Sequence, residues 1–401
     1  MSTMTRQRVP AAIALAIVAT VISLLSTPTS RDGVAYSLVA IVAIACLSVL
    51  TLPGFNVSHP VVSRAALTLL GVDVTLFITF LLSSNTTTNN NLATGAAMSI
   101  VLLGLSFLTG ASGQISLGNG AFMGVGAFVM AIWANHHATT PIVITLLIAV
   151  ACGALVGLLL GLPATRLRGP YLAGMTLAFA VAFIFILSSF SSWTGGDSGL
   201  QLPTELTAPR WLVDFFHSGT APLTTTTLYT TDLAIVVAGV AFFFMANLFA
   251  SRTGRAMRLI RDNDVAAELV GISLPRTRVV AFIVSSAYAA LGGALFTLIN
   301  NSVSPSTYSF ALSVTILSLI VIGGIGTVSG AVIGGIVYAF SSSVISWITS
   351  QTGLNPQGNF ASQLNGIIFG GLLILTMLFA PFGIAGAVRM LWHRVRARRV
   401  G

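Results

Sequence analysis

The chain has 401 residues, of which 55% are hydrophobic and 7% are charged, whereas a soluble domain carries about 25% charged residues. This composition excludes a large soluble protein, and the continuous apolar runs exclude a transmembrane β-barrel, whose strands would be short and alternating. The formal net charge of +9 comes from arginine alone, because the sequence contains no lysine. The fold class we predict is an all-α polytopic membrane protein, in which the arginines report topology rather than nucleic-acid binding.

An apolar run of about 17–25 residues is long enough to cross the hydrocarbon core of a membrane. The first run follows Arg6 and Arg8, but no A-x-A cleavage site comes after it, so we interpret it as an anchor helix. The run at 120–135 is short, and two later runs are nearly contiguous, so we expect a broken or re-entrant helix at either place. We count about twelve segments, ten to twelve of them spanning: 9–27, 34–53, 61–83, 92–109, 120–135, 141–163, 170–190, 228–250, 277–300, 310–327, 330–349 and 364–381.

The positive-inside rule supports an even number of segments. With the loop 251–278 placed in the cytoplasm and the sides alternated from it, 16 of the 18 arginines are cytoplasmic. Only Arg31 and Arg210 then lie outside, and a segment gained or lost in the middle would misplace five more. Both termini are therefore predicted to be cytoplasmic.

Two glycine-rich patches, 108–127 and 321–335, suggest close helix packing or helix breaks within the bilayer. They lie six segments apart and share an orientation, which favours an internal parallel repeat. Generic tight packing explains the glycines about as well. It explains Gln114, Ser116 and Asn119 less well, because a polar trio at a helix break is costly in lipid and usually lines a cavity.

The stretch 251–278 holds nine of the 27 charged side chains of the chain. Its predicted helix is Asp264–Val270, with Asn263 or Asp264 as N-cap, Gly271 at the position after the helix that needs a positive φ, and Pro275 as a stop. Val265–Leu269 and Ala266–Val270 are i,i+4 pairs that give the helix a small apolar stripe. From the residues alone, this helix fits a partner's groove and an anionic membrane surface equally well.

The same stretch, RAMRLIRDNDVAAELVGISLPRTR, resembles the cytoplasmic coupling loop of ABC importer permeases, in particular the branched-chain amino acid importer permease family. The ending LFAPFGIAG fits as well, and the similarity covers about residues 92–388. Four further stretches agree in order: FLTGASGQISLGNGAF, GLPATRLRGPYLAGMTLAFA, WTGGDSGL and SLIVIGGIGTVSGAVIGG.

The resemblance implies an inner-membrane permease core at 92–388, preceded by a three-helix extension at 1–91 and followed by a basic cytoplasmic tail at 389–401. It implies a second homologous permease, two cytoplasmic ATPases and an extracytoplasmic substrate-binding protein as partners, besides membrane lipid. A chain without lysine cannot form a standard P-loop, so the ATP-driven step must come from another subunit. We expect neither a cofactor nor a metal, since no ligand-spaced His, Cys and carboxylate pattern occurs.

The resemblance also implies roles for individual residues. The residues implied to dock on the ATPase are Arg255, Arg258, Arg261, Asp264, Glu268, Leu269 and Gly271. Those implied to belong to the translocation pathway are Gly113, Gln114, Ser116, Asn119, Thr176, Gly323, Gly324 and Gly326. The family often has His-Ala where this chain has Asn119-Gly120, and related systems carry urea, short amides and aromatic acids, so the solute stays open between these and branched-chain amino acids.

Two other functions compete with this one. A secondary transporter coupled to protons or ions would use Asp73, which lies within the run 61–83, as its coupling carboxylate. A membrane-embedded enzyme would need a catalytic cluster at one interface, and the outer loop 191–227 has acidic residues and one histidine in no recognisable arrangement. The scarcity of intramembrane charge argues against the secondary transporter, and the lack of a recognisable catalytic arrangement argues against the enzyme. We therefore expect a transport subunit without catalytic residues.

Overall fold

The computed structural model describes residues 86–137, 140–167, 169–203 and 222–352, together with positions 370, 371, 374, 378, 383 and 384. This part of the chain is almost entirely helical, which confirms the predicted class. Its helices are α1 (Thr86–Leu105), α2 (Asn119–His136), α3 (Ile142–Ala164), α4 (Pro170–Ser189), α5 (Ser191–Thr194), α6 (Pro222–Ala250), α7 (Arg252–Asp262), α8 (Asp264–Leu269), α9 (Leu274–Asn300), α10 (Phe310–Gly323) and α11 (Val328–Thr352). A π-helix, Ser106–Ala111, continues α1, and 3₁₀ turns lie at Gly196–Ser198 and Pro305–Tyr308.

Within the described residues, five helices are long and apolar enough to cross a membrane. They are Asn89–Ala111, Ile142–Ala164, Pro170–Ser189, Tyr229–Ala250 and Leu274–Asn300. Two shorter apolar helices, Phe310–Gly323 and Val328–Ser341, are separated by a glycine-containing link. The predicted break near residue 327 is therefore confirmed, while the break near 120 comes before α2 rather than within it.

Several predictions fall outside the described residues. The runs at 9–27, 34–53 and 61–83, with Asp73, lie there, as does most of 364–381. The count of twelve segments, the side of the termini and the internal repeat therefore stay predictions.

One compact unit of the chain comprises residues 1–93 and 207–247. In its described part, Thr231 Oγ1 donates a hydrogen bond to the Asn89 carbonyl at 3.3 Å. This bond links the start of α1 to α6 through two buried polar residues, in line with the use of hydroxyl groups to join helices in lipid.

The other unit comprises residues 94–206 and 248–401 and is built around α9. Here α9 packs against α2 and α3 at positions without room for a side chain. A Cβ at Gly126 would lie 1.9 Å from the Ala290 carbonyl oxygen, and one at Gly157 would lie 1.8 Å from Ser286 Oγ. Small residues thus set the helix spacing where no hydrophobic effect drives association.

The WTGGDSGL stretch forms a compact turn at the end of α4. Thr194 Oγ1 donates to the Leu187 carbonyl at 2.7 Å and accepts the Gly196 N–H at 3.3 Å. Strand β1 (Leu200–Gln201) follows and pairs antiparallel with β2 (Ser302–Val303). The loop after α4 is therefore fixed to the connection between α9 and α10.

The stretch 251–278 contains one more helix than the sequence predicted. The predicted helix is α8, which ends at Leu269, one residue short of Val270. Before it lies α7, and after it Pro275 sits in the first turn of α9. Proline is tolerated there because the first N–H groups of a helix have no intrahelical acceptor, so Pro275 starts a helix rather than merely stopping one.

Candidate functional site

Helix α7 is amphipathic and begins at a serine cap. Ser251 Oγ accepts the Gly254 N–H at 3.2 Å, which satisfies one of the unpaired donors of the first turn. Gly254, Met257 and Ile260 recur every third residue and are buried. Spacing of three places them on one face, which leaves the arginines of α7 on the other side.

Two of these arginines bind the end of a membrane-spanning helix. Arg255 Nη1 donates to the Ala250 carbonyl at 2.8 Å, and Arg258 Nη2 donates to the Phe249 carbonyl at 3.2 Å. Both carbonyls belong to the last turn of α6, where no intrahelical donor is available. A cation at a helix C-terminus is favourable, so the two arginines stabilise the junction between α6 and α7.

Arg261 binds the π-helix instead. Its Nη1 donates to the Gly110 carbonyl at 2.6 Å. Its Nε and Nη2 both donate to Asp262 Oδ1 at 3.1 Å, which orients the guanidinium group. Gly113 lies against the same side chain, since a Cβ there would be 2.8 Å from Arg261 Cγ. One residue thus joins α7 to the end of the π-helix and to the segment that follows it.

Helix α8 is capped at both ends. Asn263 Oδ1 accepts the Ala266 N–H at 3.1 Å. At the other end, Ile272 N–H bonds to the Ala267 carbonyl and Gly271 N–H to the Glu268 carbonyl, at 3.0 and 2.9 Å. This is a Schellman motif, which needs the positive φ of 80° that Gly271 has. The predicted caps are therefore confirmed.

One face of α8 is packed and the other is exposed. Ala267 is buried against Ile260 of α7 and Leu274 of α9. On the opposite side Val265, Leu269 and Val270 are 66%, 84% and 67% exposed. We call these three residues the α8 stripe. Isolated exposed apolar residues are ordinary, but an apolar face on a capped helix that no described residue covers is suited to a partner's groove.

The residues predicted to dock on an ATPase thus divide into two groups. Arg255, Arg258, Arg261 and Asp264 have hydrogen bonds within the chain, the last to Arg278 Nη2 at 2.8 Å. Leu269 belongs to the α8 stripe, and Glu268 and Gly271 are exposed beside it. The first group braces the loop, although Arg255, Arg258 and Arg261 are exposed as well, and the second group lies on the surface of α8 and its C-terminal cap.

The second candidate region begins where the π-helix ends. The Gly113 N–H bonds to the Thr109 carbonyl at 3.2 Å, and Gln114 N–H to the Leu108 carbonyl at 3.3 Å. Residues 113–118 then run without helical structure to α2. Ile115 in this segment is 50% exposed. Irregular backbone does not face lipid, so the segment must meet protein or water.

The structure places the predicted polar residues around this segment. Gln114 and Asn119 are 6% and 1% exposed, and their amide groups have no hydrogen-bond partner among the described residues. Ser116 Oγ accepts the Gly118 N–H at 3.3 Å. Thr176 Oγ1 on α4 accepts the Leu117 N–H at 2.9 Å, so α4 holds the segment in place.

The two glycine patches meet directly. A Cβ at Gly110 would lie 2.2 Å from Gly326 Cα. The Gly326 N–H donates to Ser106 Oγ at 3.1 Å. Within the second patch, a Cβ at Gly323 would lie 2.0 Å from the Gly330 carbonyl oxygen, and Gly324 has a φ of 121°. The predicted pathway glycines therefore form a close-packed junction.

Sequence reasoning missed three participants in these contacts. The brace made by the arginines of α7 was not predicted, although their spacing of three was visible. Ser106 and Ser313 were not singled out, yet both bond to backbone N–H groups of the glycine patches. Among the described residues, no group of three or more His, Cys, Asp or Glu could hold a metal ion.

Comparisons with known proteins add an independent line of support. The profile of a family described as "Branched-chain amino acid transport system / permease component" matches residues 87–377. The high-affinity branched-chain amino acid transport system permease protein LivM of Escherichia coli K12 is 30% identical over 314 residues, covering 75% of this chain and 70% of LivM.

Two further relatives carry related names. LivH of Escherichia coli K12 is 27% identical over 216 residues, covering 53% of this chain and 64% of LivH. BraD of Pseudomonas aeruginosa is 24% identical over 310 residues, covering 74% of this chain and 94% of BraD. Both are described as high-affinity branched-chain amino acid transport system permease proteins. No solved structure matches the chain.

Proposed function

This chain belongs to the family of branched-chain amino acid transport system permease components, and from that premise we propose how it works within an ABC importer. It is a multi-pass membrane protein and a transport subunit for branched-chain amino acids, not an enzyme. The chain would form half of the translocation pathway with a second, homologous permease in the inner membrane. The pairing is supported by the likeness to both LivM and LivH of one bacterium.

ATP would be hydrolysed by subunits other than this chain. The sequence contains no lysine and so no standard P-loop, which supports two separate ATPase subunits on the cytoplasmic side. An extracytoplasmic binding protein would deliver the solute to the opposite face. Both termini would be cytoplasmic, and about twelve segments with an internal parallel repeat fit the distribution of arginine and glycine. The chain would consist of three parts: an N-terminal three-helix extension at 1–91, the permease core at 92–388 and a basic cytoplasmic tail at 389–401.

The observation that carries this proposal is the exposed α8 stripe on a loop that is braced from within. Leu269 and Glu268 would enter the groove of the ATPase, while Arg255, Arg258 and Arg261 hold α7 on the ends of α6 and the π-helix. Closure of the ATPases would move α8. Because Ala267, Ile260 and Leu274 pack together, α7 and α9 would move with it.

The translocation pathway would lie along residues 113–118 and the glycine junction. Gly113, Gln114, Ser116, Asn119 and Thr176 surround the non-helical segment, and its exposed backbone needs protein or water beside it. Gly323, Gly324 and Gly326 would allow the two broken helices to slide where they cross. A second permease facing this side would complete the pathway.

The experiment that tests this function compares Leu269→Arg with Ser273→Arg. Both changes add the same side chain to an exposed position of the loop, but only the first lies on the α8 stripe. We expect Leu269→Arg to abolish co-purification with the ATPases and to reduce ATP-dependent leucine uptake in proteoliposomes at least about tenfold, since a hot-spot residue is worth about 2 kcal/mol or more.

Ser273→Arg is expected to retain binding and uptake to within about twofold, as for surface changes of about 0.5 kcal/mol. If the Leu269→Arg complex assembles and transports like the wild type, α8 is not the docking element. If wild-type vesicles accumulate leucine without ATP, the chain is a secondary transporter instead.

A further inference from the structure

In the unit built around α9, the N-terminal ends of two helices lie beside each other. At these positions a helix that crosses the membrane would normally continue. These are α2, which begins at Asn119, and α10, which begins at Phe310. The Gly120 N–H in the first turn of α2 donates to Ser313 Oγ in the first turn of α10 at 2.9 Å. A Cβ at Gly120 would lie 3.3 Å from the Ser309 carbonyl oxygen. The two N-termini are therefore in direct contact.

This meeting point lies within the thickness of the membrane. The last residue of α10 is followed by the link to Gly326, which crosses Gly110, and Gly110 binds Arg261 of the charged loop. The loop must lie in water because of its charge, so this end of α10 is near the membrane surface. With 14 residues, α10 rises about 21 Å from there, which is less than the hydrocarbon thickness of about 30 Å. Its N-terminus therefore ends inside the membrane.

The N-terminus of α2 reaches the same depth from the other side. The C-terminal end of α2 lies beside the strand pair, where Asn135 Nδ2 donates to the Gln201 carbonyl at 3.0 Å. Its 18 residues span about 27 Å. Two partial helices thus enter from opposite surfaces and present their N-terminal ends to the same place.

Neither N-terminus is capped by a side chain. The residue before α2 is Gly118, which has none, and Ser309 before α10 makes no side-chain cap bond. The N–H groups of Asn119 and Ala121 on α2, and of Phe310 and Ala311 on α10, have no partner among the described residues. Unpaired N–H groups in the membrane are costly, and each helix N-terminus carries about half a positive charge.

Asn119 provides a second, independent observation at this place. Its side chain is 1% exposed and neither its oxygen nor its nitrogen has a partner in the described part of the chain. An orphaned primary amide next to two uncapped helix ends leaves donors without an acceptor. Neither α2 nor α10 contains an acidic residue, so these helices supply no counter-ion of their own.

We propose that the converging N-termini of α2 and α10, with the Asn119 amide, bind the carboxylate group of the transported solute at mid-membrane. This inference rests on the proposed function and adds to it a subsite and its chemistry. A carboxylate supplies the acceptors that the N–H groups and the Asn119 amide lack, and its charge is favoured by both helix dipoles. Phe310 is 38% exposed and Ala311 is exposed, so a solute can reach the start of α10 from the surface of the chain.

Two substitutions place a carboxylate of the protein itself in the subsite. Asn119→Asp keeps the size of the side chain, and Ser309→Asp introduces an acidic residue that helix N-caps prefer. Both favour the helices, so folding should survive, and each internal carboxylate should exclude that of the solute. The control is Gln201→Glu, which adds the same charge to an exposed side chain of the strand pair, beside the opposite end of α2.

The test uses the complete transporter in proteoliposomes, with assembly and ATP hydrolysis measured alongside leucine uptake. We expect either substitution at the subsite to lower uptake at least about tenfold, the equivalent of one lost charge-assisted bond, while the complex still assembles and hydrolyses ATP. Gln201→Glu should transport like the wild type. Leucinamide, which lacks the carboxylate, should displace labelled leucine from the wild-type complex at least about tenfold less effectively than leucine does.

The outcomes separate the subsite from the function. Normal uptake by both Asn119→Asp and Ser309→Asp, or equal displacement by leucinamide, would overturn the carboxylate subsite and leave the importer intact. A wild-type complex that fails to take up leucine with ATP would overturn the proposed function itself.

Discussion

Gly110 and Gly326 cross at a point where neither residue can carry a side chain. A Cβ at Gly110 would lie 2.2 Å from Gly326 Cα, far inside van der Waals contact. The crossing also places the Gly326 N–H on Ser106 Oγ. At this position glycine is required by the neighbouring backbone, and a single methyl group must push the two segments apart.

We therefore expect Gly110→Ala to destabilise the protein by about 1–3 kcal/mol, the usual cost of overpacking. The matched control is Gly174→Ala on α4, where an added Cβ meets nothing within 4 Å and alanine should favour the helix by up to about 1 kcal/mol. Thermal unfolding of the detergent-solubilised protein, followed by tryptophan fluorescence, measures both. Equal unfolding temperatures for the two variants would show that the crossing tolerates a side chain.

The residue scale also shows where sequence reasoning ends. Both glycine patches were predicted to be important, but not that they touch, because the contact joins positions more than 200 residues apart. Gly271 was predicted correctly because a Schellman motif is a local structure with a local sequence signal. Ser313 gave no signal, since a serine in an apolar helix usually bonds its own backbone.

At the scale of elements, α7 braces the loop from within. Three of its four arginines, at positions 255, 258 and 261, donate to the carbonyl ends of α6 and the π-helix. Sequence reasoning missed this helix because its apolar positions are few and a glycine lies in its first turn. Its N-cap and buried face can be recognised only once the structure shows which carbonyl groups its arginines bind.

We expect Arg261→Ala to uncouple the transporter. The change leaves the Gly110 carbonyl without its charged donor, a loss of about 1.5–3 kcal/mol, and separates α7 from the π-helix. Leucine uptake per ATP hydrolysed should fall about tenfold or more, measured in the same proteoliposomes. Arg252→Ala, an exposed change on the same helix, should leave this ratio unaltered, and the same ratio in both variants would contradict a bracing role for Arg261.

At the scale of the whole molecule, the hydropathy of the sequence located the described spans well. The predicted runs at 141–163, 170–190 and 277–300 correspond to α3, α4 and α9 within a few residues. A span must satisfy its backbone internally and face lipid, so its signal is contained in its own residues. The choice of packing partners is not contained in the residues of one span, because many helix faces in this chain consist of similar small residues.

The topology can be tested by placing single cysteines on two loops separated by α6. With Cys46 and Cys152 replaced by alanine, Ser198→Cys should react with a membrane-impermeant maleimide added to intact cells. Ser273→Cys should react only after the membrane is opened, because the arginine-rich side stays in the cytoplasm. Both serines are exposed in the structure, so access is set by the membrane. Labelling of both from the same side would contradict the assigned parity.

The exposed α8 stripe has a consequence for a subunit made in excess of its partners. Leu269, at 84% exposed, would then face the cytosol on a capped helix. Chaperones and proteases act on exposed apolar segments. A copy of this chain without its partners would therefore be degraded, because its α8 stripe is exposed. Balanced synthesis of the subunits would therefore determine how long each copy of this chain survives in the cell.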